Sequence, residues 1–165
     1  MLVNGHELRA WASLAGADLA GASLTGMNLT RIDLEGAQLS GADLSGSDLT
    51  AATLRSAHME NANLSGAVLK AASLKSASVR GASLVGADLS DAHLCNSDCS
   101  CTDFTHALLV EADLNSVDLT DADLTGADLR AALLVDATLT GANLNGVIWD
   151  DETKWPEGFT PPKSL

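Results

Sequence analysis

From Leu14 to Trp149 every fifth residue is apolar. The column begins Leu14, Leu19, Leu24, Leu29, passes Met59, Val79, Cys99 and Phe104, and continues from Leu109 to Leu144. It holds for 28 successive repeats with no insertion and no slip. Call each member of this column position i. Position i−2 is small, as in Ala17, Ala22, Ala37 and Ala42. Position i−1 is polar, as in Asp18, Asn28, Asp33 and Asp43. An apolar–polar–apolar triplet is alternation of period two, so i−2 and i share one face of an extended segment. Position i+1 is usually Ser, Thr or a charged residue, and i+2 is often glycine, as at Gly16, Gly21 and Gly26. Polar residues followed by glycine mark a turn. Each repeat therefore reads as three extended residues and a corner. A helix is excluded, because about 3.6 residues per turn would scatter a five-residue period around its axis.

A fixed short period is the mark of a solenoid. Short strands at successive corners leave their backbone groups to pair with the coils above and below. The motif Ala-(Asp/Asn)-Leu-x-Gly, as in Ala17-Asp18-Leu19-Ala20-Gly21 and Ala42-Asp43-Leu44-Ser45-Gly46, resembles the pentapeptide-repeat family over most of the chain. The resemblance implies an all-β fold, a right-handed quadrilateral parallel β-helix with four repeats per coil. That gives about seven coils and, at one strand spacing per coil, a rod ~34 Å long. Left-handed β-helices repeat every six residues, and nothing here does.

The pattern divides the chain. Residues 1–12 do not fit it, with Arg9 where leucine belongs, and their apolar Leu2, Val3, Leu8 and Trp11 are expected to cover the upper end of the core. Residues 13–150 form the repeat domain. Residues 151–165 form a C-terminal cap and tail, with Trp155 and Phe159 covering the lower end and Pro161 and Pro162 leading to a free tail. The segment Thr153-x-Trp155-Pro156-x-Gly158-Phe159 resembles the closing segment of many family members. Caps are needed because a terminal coil otherwise exposes its interior and its strand edges.

Composition narrows the function. The formal net charge is −13, from 22 acids and 9 bases. Such a surface is unsuited to nucleic acid phosphates or anionic membranes and suits a basic partner. No signal-like segment and no apolar run long enough to span a bilayer is present, and three crowded cysteines form no disulfide framework. The expected setting is a reducing cytoplasm.

Candidate chemistry lies in what departs from the repeat. Arg55, Lys70, Lys75 and Arg80 form a basic belt at outward i+1 positions. Without interleaved aromatics it reads as solvation rather than a nucleic acid site. Next comes an irregular coil, His93 to His106, where Ser97 and Thr102 replace alanine and Cys99 replaces leucine. Cys95, Cys101 and the two histidines suit zinc by type. They fall on successive corners, so a metal or redox role ranks last among the readings, and no cofactor is expected. The lower half is acidic: Asp98, Asp103, Asp113, Asp118, Asp123 and Asp128 are its i−1 members. A spacing of twenty stacks Asp98 on Asp118 and Asp103 on Asp123. Leu108 and Leu133, with Val110 and Val135, point outward on neighbouring sides and suggest a partner surface or a homodimer contact. Acids on a convex wall with no nucleophile or base give no enzyme.

The expected function is therefore a non-catalytic, rigid protein-interaction module or scaffold whose protein partner the sequence does not identify. Those six aspartates with Leu108 and Leu133 form its candidate surface. The alternative is a mimic of duplex DNA that binds DNA gyrase, as the resemblance to quinolone-protecting family members implies. The basic belt interrupts the acid and weighs against it.

Overall fold

The computed structural model describes residues 2–3 and 5–164, and for residues 2, 3 and 6 the backbone only. Parallel bridges join residues twenty apart: Ser13 to Asp33, Asp33 to Thr53, Thr53 to Ser73, and so on down the chain. The same spacing links Asp18 to Gln38, Ser23 to Asp43 and Asn28 to Asp48. Corners every five residues and a return after twenty make a coil with four sides. Side one carries Leu14, side two Leu19, side three Leu24 and side four Leu29.

In the repeat around Leu44 every backbone N–H has a destination. Asp43 N–H donates up to Ala42's counterpart, the Ala22 carbonyl, at 2.9 Å. Leu44 N–H donates down to Asn63 O at 2.7 Å, and Gly46 N–H down to Ser65 O at 3.0 Å. Ser47 N–H closes the corner on Leu44 O at 3.1 Å. The fifth donor, Ser45 N–H, goes to the Asp43 side chain at 3.0 Å. The backbone donors of that repeat are thus satisfied inside the coil. The corner places i+2 at positive φ, +63° at Gly46, which explains the glycine preference there.

The inner column is sealed from Leu19 to Leu134, with Leu19, Leu24, Leu64, Met59, Phe104 and Leu124 0% exposed, and its last members Leu139, Leu144 and Trp149 are partly buried. The hydroxyls that replace alanine stay inside because the wall supplies acceptors. Ser47 donates to Leu44 O at 2.7 Å and Ser97 to Leu94 O at 2.6 Å. Thr102 donates to Val79 O at 2.8 Å. A buried hydroxyl with its bond made carries little penalty.

The ends differ from expectation. At the upper end β1 (Leu2–Val3) and β2 (His6–Glu7) pair antiparallel. Leu8 is buried against the core as anticipated, while the side chains of Leu2 and Val3 lie outside the described residues. Trp11 does not cover the core: it is 68% exposed, with the Arg31 guanidinium 4.7 Å above its ring. The cause is register. Trp11 sits at i+2, at φ +65°, where a side chain points away from the coil.

At the lower end the ladder outlasts Trp149. One extra residue is inserted, and Lys154 then bridges Leu133 on side one. Thr153 takes the buried place that Thr102 occupies higher up and donates to Leu129 O at 2.9 Å. Trp155 packs against the core and stacks on Phe159, with centroids 5.4 Å apart. The tail is not free: Ser164 Oγ bonds the Trp149 backbone, and Trp149 Nε1 donates to Pro162 O at 2.9 Å. Among the described residues no helix is long and apolar enough to cross a membrane.

Candidate functional site

The structure spreads the eight candidate residues over all four sides. Asp98 bridges Asp118 on side two, and Asp103 bridges Asp123 on side three. Asp113 lies on side one between His93 and Leu133. Leu108 lies on side four between Asp88 and Asp128. The eight thus fall in four bridged pairs, one on each side, and the pairs on adjoining sides two and three set acid on acid.

All six aspartates share one structural duty. Each accepts, on Oδ1, the N–H two residues on: Ser100 to Asp98 at 3.0 Å, Thr105 to Asp103 at 2.9 Å and Asn115 to Asp113 at 3.2 Å. The lower members repeat it: Thr120 to Asp118 at 2.9 Å, Thr125 to Asp123 at 2.8 Å and Arg130 to Asp128 at 3.2 Å. This is the fifth donor of each repeat. Where a hydroxyl follows, it adds a bond to the same oxygen, as Ser100 does to Asp98 at 2.6 Å. The hydroxyl and N–H of Thr120 hold the Asp118 carboxyl below its ordinary range, and those of Thr125 do the same for Asp123. All six are fixed in place, with Oδ1 committed to the corner. Asp128 is committed further: it is buried, and Arg130 grips it through Nε and Nη2, the latter at 2.6 Å. It belongs to a closed ion pair rather than to an acidic surface.

The basic belt is real but partly neutralised. Arg55 and Lys75 stack on side one, as shown by the Ser56 N–H bond to Lys75 O at 3.0 Å. Lys70 on side four pairs with Asp88 at 3.0 Å. Leu108 and Leu133 are exposed as anticipated, together with Val135.

In the irregular coil Cys99 is fully buried, and burial pushes its thiol up to about 12. Cys95 is half-buried and Cys101 exposed on the next corner. Among the described residues no three of the His, Cys, Asp and Glu side chains are grouped so that they could hold a metal ion. At the lower end an open depression of about 400 Å³ is lined by Ala137, Leu139, Thr140 and the 156–159 segment. Its one ionisable group is Glu157, so it offers no acid–base pair.

Solved structures similar to this chain are themselves pentapeptide-repeat proteins. The protein alr5209 from Nostoc PCC 7120 is 37% identical over 68% of this chain and 77% of its own, with a TM-score of 0.48. HetL, from the cyanobacterium Nostoc sp. strain PCC 7120 and involved in heterocyst differentiation regulation, is 30% identical over 86% of each chain, with a TM-score of 0.28. QnrB1, a plasmid-mediated fluoroquinolone resistance protein, is 20% identical over 87% of this chain and 92% of its own, with a TM-score of 0.28. No match was found among curated proteins. Five overlapping segments between residues 12 and 148 match the model for pentapeptide repeats (8 copies), and the chain belongs to the pentapeptide-repeat family.

Proposed function

We propose that the chain is a right-handed, four-sided β-helix of about seven coils that serves as a non-catalytic, rigid protein-interaction module, with a basic protein as its partner. One observation carries the reading. Asp98, Asp118, Asp103 and Asp123 stand in bridged register on adjoining sides, each held on Oδ1 by the backbone. Charges already fixed lose little freedom when a cationic partner docks, and that preorganisation is the usual source of affinity at a polar surface. Their spacing of one strand separation, ~4.8 Å, gives a local negative field that steers a basic surface.

Asp→Asn tests this cleanly, because asparagine keeps the Oδ1 acceptor and removes the charge. Asn63 already does so at an i−1 position, accepting Ser65 N–H at 3.1 Å. A fluorescent oligoarginine peptide is titrated against the parent, against the Asp98/Asp103/Asp118/Asp123→Asn variant, and against a control with Asp18, Asp33, Asp43 and Asp48 changed instead. The expected result is a loss of roughly tenfold or more in affinity for the first variant and a small loss for the control. Equal losses in both would reduce the surface to net charge and sink the reading.

A further inference from the structure

Side one ends in a column whose members differ from every other. Asp113 bridges Leu133, and Leu133 bridges Lys154, so acid, apolar residue and base stand one strand apart in a line. Leu133 is 37% exposed and Val135, the other outward residue of that strand, is 45% exposed. Neither can be explained by the corner. With leucine at i−1, the Val135 N–H loses its usual acceptor, and Asn115 Oδ1 from the coil above replaces it at 3.0 Å. An apolar side chain thus stands in water where the local chemistry wants an acceptor, and a neighbour has taken over the lost bond.

We propose that this lower part of side one is a two-fold interface, and that its occupant is a second copy of the chain. The column is self-complementary. A two-fold axis lying in the plane of contact and crossing the rod at the level of Leu133 lays Leu133 on the partner copy's Leu133. It inverts the line, so each Asp113 faces the other copy's Lys154. The two ion pairs and the apolar centre close with one operation, which is what an isologous contact requires. Side four offers no such match: its exposed Leu108 lies between Asp88 and Asp128, already paired with Lys70 and Arg130, and inversion brings no acid against a base within that column. The inference is independent of the proposed function, which uses sides two and three. Three strand layers make a small contact, so the dimer belongs to the weak, transient class.

Sedimentation of the full chain from micromolar to roughly millimolar concentration tests it. The parent is expected to shift toward dimer across that range, and Leu133→Asp to remain monomeric. Lys154→Asp weakens association by roughly tenfold, and pairing it with Asp113→Lys restores most of the loss. Circular dichroism melts confirm that each variant is folded. A second measurement avoids the charged positions: with Cys95 and Cys101 replaced by serine, Leu133→Cys should form an intermolecular disulfide under mild oxidation, since the axis sets the residue against itself. A parent that stays monomeric, association undiminished in Leu133→Asp, failure of the charge swap in folded protein, or absence of the cross-link overturns the proposal.

Discussion

Consider the corner at Gly46, where φ is +63° and no atom lies within 4 Å of an added Cβ. Gly46→Ala therefore meets no steric contact, and its whole effect is conformational. The residue cannot relax out of the left-handed region, because its N–H is committed to Ser65 O at 3.0 Å in the next coil. A left-handed L-residue costs about 1–2 kcal/mol. Alanine also narrows the unfolded ensemble, which returns about 0.4–1 kcal/mol. The net destabilisation should be about 1 kcal/mol, or roughly 2–4 °C in melting temperature for a chain of this size. The converse is available on side four, whose Ala51 and Ala131 hold the same conformation at φ +55° and +56°. Ala51→Gly should raise the melting temperature by a similar step, since its N–H bond to Lys70 O at 2.8 Å needs no side chain. Gly141→Ala is the contrast: the added Cβ would run into the Asp121 carboxylate, which must rotate away, so it should cost more than Gly46→Ala. Thermal melts of the three variants decide the matter. If Ala51→Gly destabilises while Gly46→Ala is neutral, corner strain is not what selects glycine.

Other perturbations have equally definite outcomes. Leu64→Ala, at a fully buried position in the middle coils, should cost about 2–5 kcal/mol by denaturant titration, and Leu64→Asp should unfold the chain. A parent-like melt for Leu64→Asp would refute the inward column. Acid should unfold the protein through its pinned carboxylates. At Glu60 partial burial opposes ionisation, but hydrogen bonds from Ser40 and Ser78 outweigh it and hold the carboxyl at about 2. A lowered folded-state value means stability present above the ordinary value near 4.5 and lost as pH falls toward 2. Asp43, Asp48, Asp88, Asp118 and Asp123 are lowered too and act with the same sign. Ser40→Ala should therefore move the acid-unfolding midpoint upward in pH, and an unmoved midpoint would deny Glu60 that role. A maleimide should label exposed Cys101 first and leave buried Cys99 untouched until the chain unfolds, as mass spectrometry of the folded protein would show.

The leucine column and its alanine partners could be read from sequence because burial imposes one rule at every repeat. Twenty-residue stacking followed from the family resemblance and is present in the bridges. What escaped the reading was the cause of the acid. Asp98-Ser100, Asp103-Thr105, Asp118-Thr120 and Asp123-Thr125 all place a carboxylate two residues before a hydroxyl, the signature of a side chain that bonds its own corner. That signal was present and points to structure before function. Trp11 could also have been placed. Counted in register it falls at i+2, an outward corner, and hydrophobicity alone suggested the opposite. The inserted residue before Trp155 was harder, since nothing local distinguishes a ladder that ends from one that skips a position and resumes.

This changes where specificity can reside. Stacked like charges one strand apart should repel. Yet the carboxyls of Asp118 and Asp123 lie below their ordinary range although Asp98 and Asp103 stand directly above them. The N–H and hydroxyl bonds of each corner hold them there, and the charge of Arg80 adds to the effect at Asp118. An acidic rod can arise from corner chemistry alone, repeat after repeat, with no partner selecting it. Net charge is then a poor guide to what this surface recognises. The better guides are positions the corner does not dictate: the outward i+1 residues, such as Arg55 and Lys75, and the i−1 sites where an acceptor has been given up. Leu133 is the clearest of these, because Asn115 takes over the bond it forgoes.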